Sequence, residues 1–242
     1  EMQFEFYATS QLIKNTNGVE TKIAAPAIYS SVSISPDKKY LLVEKIDKPF
    51  SYLVTANGFN STMQITDMNG NIIKTLAKLP SSELAPRGND NVLNAPRGYN
   101  WFDNSPATVQ WIEPLDSGLI KKKMDFHDAA YTLAAPFTGT PKELVKTPQR
   151  LYNVTDLTTG AFFVTEGSRA MHRQKMSKLT ADGKMETLID RSTDDAYNNP
   201  GTPLTEKNKY GRSTVKIKNG SQLFMTGMGA SAKGDLPFLN TF

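Results

Sequence analysis

The sequence predicts an all-β chain, a partial β-propeller of four-stranded antiparallel blades. Three observations carry this expectation. No segment sustains a helical period of apolar residues. Short β-branched and aromatic runs alternate instead with turn dipeptides. Asn17-Gly18, Asn69-Gly70, Asp182-Gly183 and Asn219-Gly220 each stand between two such runs, and these pairs suit the positive φ angles of a tight hairpin turn. A strand–turn–strand unit also recurs at a spacing of about 60 residues, which is longer than one hairpin and accommodates a four-stranded blade.

Taken in order, residues 1–7 read as strand, and 6–13 pair with 19–24 as a half blade within 1–25. The turn Ser35-Pro36-Asp37-Lys38-Lys39 joins strands at 29–34 and 40–46. Proline presets φ there, and aspartate can bond its own backbone. Strands at 62–67 and 72–76 complete a blade of about 30–80. A second blade, 97–147, takes strands near 99–102, 108–112, 131–135 and 143–146. A third, 151–192, takes 151–154, 161–164, 176–180 and 185–189. A last half blade, 213–242, holds strands at 214–217 and 222–225, with its turn near Gly220. The segments 81–96 and 193–212 are rich in Asn, Pro and charge and read as long loops. A β-sandwich of similar strand count is the alternative, but it does not require the long period. The N-terminus has no basic region followed by an apolar one, so it is not a signal peptide. The apolar C-terminus lacks a closing charge or cap. Both ends read as interrupted, and the chain as a segment of something longer.

Composition narrows the function. A chain of 242 residues can bury a sizeable core. Mean hydropathy is −0.43, and no run approaches the roughly 20 apolar residues of a membrane helix, so a multispanning helical protein is excluded. The formal charge is only +4 and is scattered. The densest basic run, Lys121-Lys122-Lys123, reads as a solvated loop, so no nucleic-acid partner is expected. The absence of cysteine removes disulfides, thiolate nucleophiles and cysteine zinc sites.

Catalytic patterns are missing. The G-x-S-x-G elbow is absent, and Gly227-Met228-Gly229-Ala230-Ser231 reads as a glycine-rich turn after a strand. Of the two histidines, His127 sits in a charged stretch and His172 at a strand start, neither with the i+4 partner of a zinc helix. Asp194-Asp195 lacks further acidic spacing and reads as loop, so no metal site is expected. Phosphate-binding glycine loops are also absent, and no cofactor is expected. The sequons at Asn60, Asn153 and Asn219 are what an Asn-rich sequence produces by chance. There remain basic residues at loops and strand ends: Arg87, Arg97, Arg169, Arg173, Lys175, Arg191 and Arg212. Converging on one channel, they would favour acidic peptides, because guanidinium forks bind carboxylates bidentately. Scattered surface charge is the competing reading.

Several phrases, in order, carry a resemblance. They are Tyr7-Ala8-Thr9-Ser10-Gln11-Leu12, Pro26-Ala27-Ile28-Tyr29, Ser35-Pro36-Asp37-Lys38-Lys39-Tyr40-Leu41-Leu42-Val43 and Lys48-Pro49-Phe50-Ser51-Tyr52. Then come Ala95-Pro96-Arg97, Ser105-Pro106-Ala107-Thr108 with Trp111, and Ala134-Ala135-Pro136-Phe137. Asp190-Arg191-Ser192, Asp195-Ala196-Tyr197, Pro200-Gly201, Gly229-Ala230-Ser231 and Gly234-Asp235-Leu236-Pro237-Phe238-Leu239 follow. Together they resemble the N-terminal propeller of the prolyl-oligopeptidase-like serine peptidases, in the glutamyl endopeptidase branch of plant chloroplasts and many bacteria.

The resemblance implies a propeller that caps a C-terminal α/β-hydrolase domain with a Ser-Asp-His triad. That domain lies outside these residues, so no catalytic residue is assigned here and the chain alone is expected not to hydrolyse peptides. The implied partners are a peptide substrate, acidic peptides included, and the hydrolase domain of the same parent chain, with no membrane. The implied role is to gate and position peptides. Cleavage after glutamate implies a basic pocket. Family members often carry an R-x-R pair near Arg173 and Lys175, which makes these two the substrate-binding candidates. Lysine at the second position weakens bidentate recognition. For bacterial members the resemblance implies the periplasm, for plant members the plastid stroma. A stand-alone propeller that binds without a peptidase is the alternative. A structural adhesin finds little support, because a cysteine framework and calcium-type acidic repeats are missing.

Overall fold

A computed structural model describes residues 2–219 and 222–242. Among the described residues the chain is all-β apart from one short α-helix and two single 3-10 turns, and it is built as a partial propeller of four-stranded antiparallel sheets. It divides into two compact units, Glu1–Trp101 with Pro106–Lys146, and Phe102–Ser105 with Thr147–Phe242.

The first unit opens with helix α1 (Met2–Ala8) and a small hairpin of β1 (Ile13–Thr16) and β2 (Val19–Lys22). The helix corrects the expectation of strand over residues 1–7, and the first hairpin is shorter than the predicted 6–13 with 19–24. The cause is tertiary. Winding the segment places Phe4 against Phe50 and Phe59, with ring centroids 4.9 and 5.5 Å away, and puts Glu5 2.7 Å from the Lys48 ammonium. No residue of α1 is buried, so these contacts and the Thr9 N–H bond to the Glu5 carbonyl hold it.

Two four-stranded meanders follow. The first is β3 (Tyr29–Ile34), β4 (Tyr40–Ile46), β5 (Ser61–Asp67) and β6 (Ile72–Leu79). The second is β7 (Arg97–Trp101), β8 (Thr108–Pro114), β9 (Asp128–Ala134) and β10 (Lys142–Thr147). In both, every strand pairs with its neighbour in sequence, so each hairpin closes locally. The turn chemistry works as the sequence indicates. The Asp37 carboxylate accepts the Lys39 N–H and the Ser35 hydroxyl, while Lys38 takes a positive φ of 62°. Asp67 accepts from the Asn71 side-chain amide and from the N–H groups of Asn69 and Asn71, which holds its carboxyl below the usual range. Gly70 is required there. Its φ is +84°, and a Cβ would lie 1.5 Å from the Ile23 carbonyl oxygen. The core of this unit combines Leu42, Met63 and Ile65 from one meander with Trp101, Val109, Trp111 and Leu133 from the other, and with Phe137. Across β7, β8 and β9 the rings of Tyr99, Trp111 and Tyr131 stack in a row, with neighbouring centroids 5.6 and 6.1 Å apart.

The second unit contains a third meander: β11 (Arg150–Asp156), β12 (Phe162–Ser168), β13 (Arg173–Leu179) and β14 (Met185–Ser192). The rest is made of short pieces. Strand β15 (Thr202–Pro203) and strand β20 (Phe238–Thr241) both pair with β19 (Gln222–Gly227), which also pairs with β18 (Ile217–Lys218). A separate pair joins β16 (Thr205–Lys207) to β17 (Ser213–Val215). Residues 193–212 therefore hold two short strands where a loop is expected, because strands formed later in the chain supply their partners. The predicted strand 214–217 is broken at Lys216, whose N–H bonds to the Leu204 carbonyl. The turn expected at Gly220 lies outside the described residues. The core here is Leu157, Ala161, Phe163, Val215, Leu223 and Met225.

Asp156, at the end of β11, ties this unit together. Its carboxylate accepts the N–H groups of Asp103 and Asn104 at 3.0 and 2.7 Å, and the Asn104 side chain donates onward to Thr214. Burial pushes the Asp156 carboxyl up, and it outweighs those donors. The folded state therefore holds this proton more tightly than the unfolded chain. Its contribution is fully present below the ordinary carboxylate pKa and is lost as pH rises through the raised folded value. The non-titrating Asp156→Asn variant lacks this term. The melting-temperature advantage of wild type over the variant should be larger near about pH 4 than near about pH 7. An advantage that is flat or grows with pH contradicts this account.

Candidate functional site

The predicted basic residues are divided between the two units. Arg87 and Arg97 lie in the first unit and the others in the second. Arg97 holds the buried Asp128 at 2.5 Å. In the second unit, Arg212 lies 3.9 Å from Asp103, and Arg191 donates to the carbonyls of Ser192 and Asp195 at 3.0 Å. Exposed Arg169 is in the turn between β12 and β13. Strand period decides the rest. Arg173 and Lys175 stand two apart in β13 and share a face, whereas Arg191 registers with Gln174 and lies on the other face.

Arg173 and Lys175 form a lattice of alternating charge with their neighbours. Lys175 stands between Glu166 on β12 and Asp190 on β14, and Arg173 stands between Ser168 and Ser192. The Lys175 ammonium is 3.3 Å from Glu166, whose side chain is 2% exposed. The other Glu166 oxygen accepts the Gln149 N–H at 3.1 Å. Arg173 gives one guanidinium nitrogen to Asp190 at 2.5 Å and is itself 49% exposed. The two cations thus differ. Lys175 neutralises a buried carboxylate, and Arg173 presents a half-open guanidinium at the sheet end.

The histidines remain outside this lattice. His172, at a φ of 51° just before β13, has its Nδ1 2.9 Å from Asp194, and both side chains are exposed. His127 is buried, with its Nδ1 2.8 Å from the fully buried Asp116. Sequence reasoning missed the partners Asp116 and Glu166. A Glu two residues after the apolar run 161–164 was the available signal for the second, since an acid carried into the sheet demands a counter-charge.

The chain is similar to two curated plant proteins across nearly its whole length. It is 30% identical to a probable chloroplastic glutamyl endopeptidase of Oryza sativa subsp. japonica over 249 positions, covering 99% of this chain and 26% of that protein. It is 30% identical to a probable chloroplastic glutamyl endopeptidase of Arabidopsis thaliana over 250 positions, covering 99% and 26%. Both similarities run through nearly the whole of this chain. It spans about a quarter of the length of these relatives. Among solved structures, an acylaminoacyl peptidase in complex with Z-Gly-Gly-Phe-chloromethyl ketone aligns with 98% of this chain and 34% of its own, at 14% identity and a TM-score of 0.49. No protein-family model matches the chain.

The lattice yields a test. Lys175→Met strips a buried carboxylate of its cation and should cost roughly 1–3 kcal/mol in urea unfolding, because the pair is only partly shielded from water. The double variant Glu166→Gln with Lys175→Met should recover most of that loss. Equal losses in the single and double variants would show that the two charges are not coupled.

Proposed function

We propose that this chain is the non-catalytic propeller portion of a serine peptidase of the glutamyl endopeptidase type. In this role it admits and positions peptides for an α/β-hydrolase domain in the rest of the parent protein. The observation that carries the reading is whole-chain similarity, at 30% identity, to proteins four times as long that are named as probable glutamyl endopeptidases. Strand-rich sheets suit the role, since they hold loops rigidly at a channel mouth while chemistry proceeds elsewhere. Acyl transfer by a Ser-His-Asp site needs a nucleophile within hydrogen-bond reach of its base, and the role proposed here requires neither from this chain.

Within that reading, Arg173 and Lys175 contact the acidic part of the substrate. Arg173 contributes more, because its guanidinium is half exposed and bonds Asp190 through one nitrogen. Lys175 adds field strength from its place beside Glu166.

Two measurements on the parent protein test these roles separately. The first compares a short fluorogenic peptide containing glutamate with the same sequence displayed on a folded carrier. The short peptide should be cleaved and the carrier spared; comparable rates on both would defeat the gating role. The second is Arg173→Ala, which should raise KM for acidic peptides by about fivefold to tenfold with kcat little changed, as expected for the loss of uniform binding. Arg173→Lys should fall between. An unchanged KM would remove Arg173 from substrate binding and leave gating untouched.

A further inference from the structure

The first unit contains a cavity of about 380 Å³ whose walls include Glu44, Phe59, Arg97 and Tyr99, together with Ser31 and Ser61. That volume falls in the range of small-molecule sites, which combine an apolar wall with a few fixed polar groups. Glu44 is the unusual member. On β4 it shares a face with Leu42, and its register partners are Ser31 on β3 and Met63 on β5. Leu42 and Met63 belong to the buried core. A carboxylate at the end of an apolar face normally carries a cation.

Glu44 has none among the described residues. One oxygen accepts the Ser61 hydroxyl at 2.7 Å, and the other accepts the Ser31 hydroxyl at 3.5 Å. A carboxylate has about four lone-pair sites, so acceptor capacity remains. Among the described residues no lysine of the same sheet pairs with Glu44; Lys74 registers with Ile65, on Glu44's face but two positions further along the strands. Lys45 and Lys78 both register with Thr62, one position away from Glu44's face, and so project to the other side. Arg97 lines the cavity, but it is held 2.5 Å from the buried Asp128. Arg97 thus has a carboxylate partner of its own, and Glu44 is the carboxylate that lines the cavity without a cation.

We propose that this cavity binds a primary ammonium group carried on a short apolar or aromatic body. The ammonium donates to Glu44. The Phe59 and Tyr99 rings, which line the same space, favour a cation over a neutral group of equal size. The seryl hydroxyls fix the carboxylate so that it is already oriented before the ligand arrives. The site lies wholly in the first unit and includes neither Arg173 nor Lys175, which belong to the second. It goes beyond the peptidase reading and needs no hydrolase domain.

The test uses phenethylamine, which no peptidase cleaves, and its uncharged analogue 2-phenylethanol. Calorimetric titration of the protein should show the amine binding at least about tenfold more tightly than the alcohol. Glu44→Gln should weaken the amine by about tenfold and leave the alcohol unchanged, while Arg173→Ala should bind the amine as wild type does. On wild type alone, amide shifts induced by the amine should centre on Gly58 and Gly98, which line the cavity. The proposal fails if amine and alcohol bind alike, if wild type binds no amine, or if the shifts centre elsewhere. It also fails if Glu44→Gln binds the amine as wild type does. Loss of amine binding in Arg173→Ala would likewise move the site to the second unit and overturn it. None of these outcomes bears on whether the parent protein hydrolyses peptides.

Discussion

The first unit depends on one layer of side chains, the one that joins its two meanders. A four-stranded sheet cannot bury both faces by itself, and each meander offers one apolar face to the other. Ile65 and Val109 are fully buried in that layer, and Phe137 is 1% exposed. The Trp101 indole crosses it to donate to the Ser33 carbonyl at 3.3 Å. That bond matters because it fixes position as well as distance. Dispersion alone would let two apolar faces slide, while a buried indole N–H must find its acceptor. The Asp37 N–H adds a second fixed point on the Pro106 carbonyl, at 3.0 Å. With the layer set in this way, the strand ends around Glu44 and Arg97 are positioned as well.

The second unit solves the same problem differently. Beside its one complete meander its terminal strands are short, and β19 carries partners along both edges. Its core is correspondingly small, and polar ties take a larger share. Asp156 secures the Asp103–Asn104 backbone, and Asn208 donates its side-chain amide to the Asp103 carbonyl and to the Asn104 side-chain oxygen. These bonds lie in partly buried surroundings, where an unmade partner costs more than a made bond contributes. They specify which loop meets which strand, a task that short strands leave underdetermined.

Much of the strand pattern was legible because tight turns announce themselves. Asn69-Gly70 and the turn at Asp37 need residues that tolerate their backbone angles, and the flanking strands follow from alternation. What was not legible depends on partners far along the chain. Phe4 and Phe6 alternate with polar residues like a strand, yet Phe4 finds Phe50 and Phe59 and the segment winds into a helix. Thr202–Pro203 has no strand character of its own and pairs because β19 lies beside it. The same limit governs the basic residues of β13 and β14. That Arg173 and Lys175 share a face follows from strand period. That Lys175 meets Glu166, and that Arg191 turns away, follows only from cross-strand register.

Glu166 and Glu44 show why register carries functional information. Both are carboxylates on the face of a meander, and both have at least one neighbouring donor. Glu166 is answered completely, by the Lys175 ammonium on one oxygen and the Gln149 N–H on the other. It has no remaining demand for a ligand, and its function is to brace the third meander. Glu44 receives two hydroxyls and no cation, and it opens on a cavity rather than on packed side chains. Hydroxyls orient a carboxylate without cancelling its charge. A cation in register with Glu44 on its own face could have closed the site, as Lys175 closes its own from the adjacent strand, but Lys45 and Lys78 register with Thr62 on the other face. The difference between a brace and a binding group therefore rests on a one-residue offset in strand pairing.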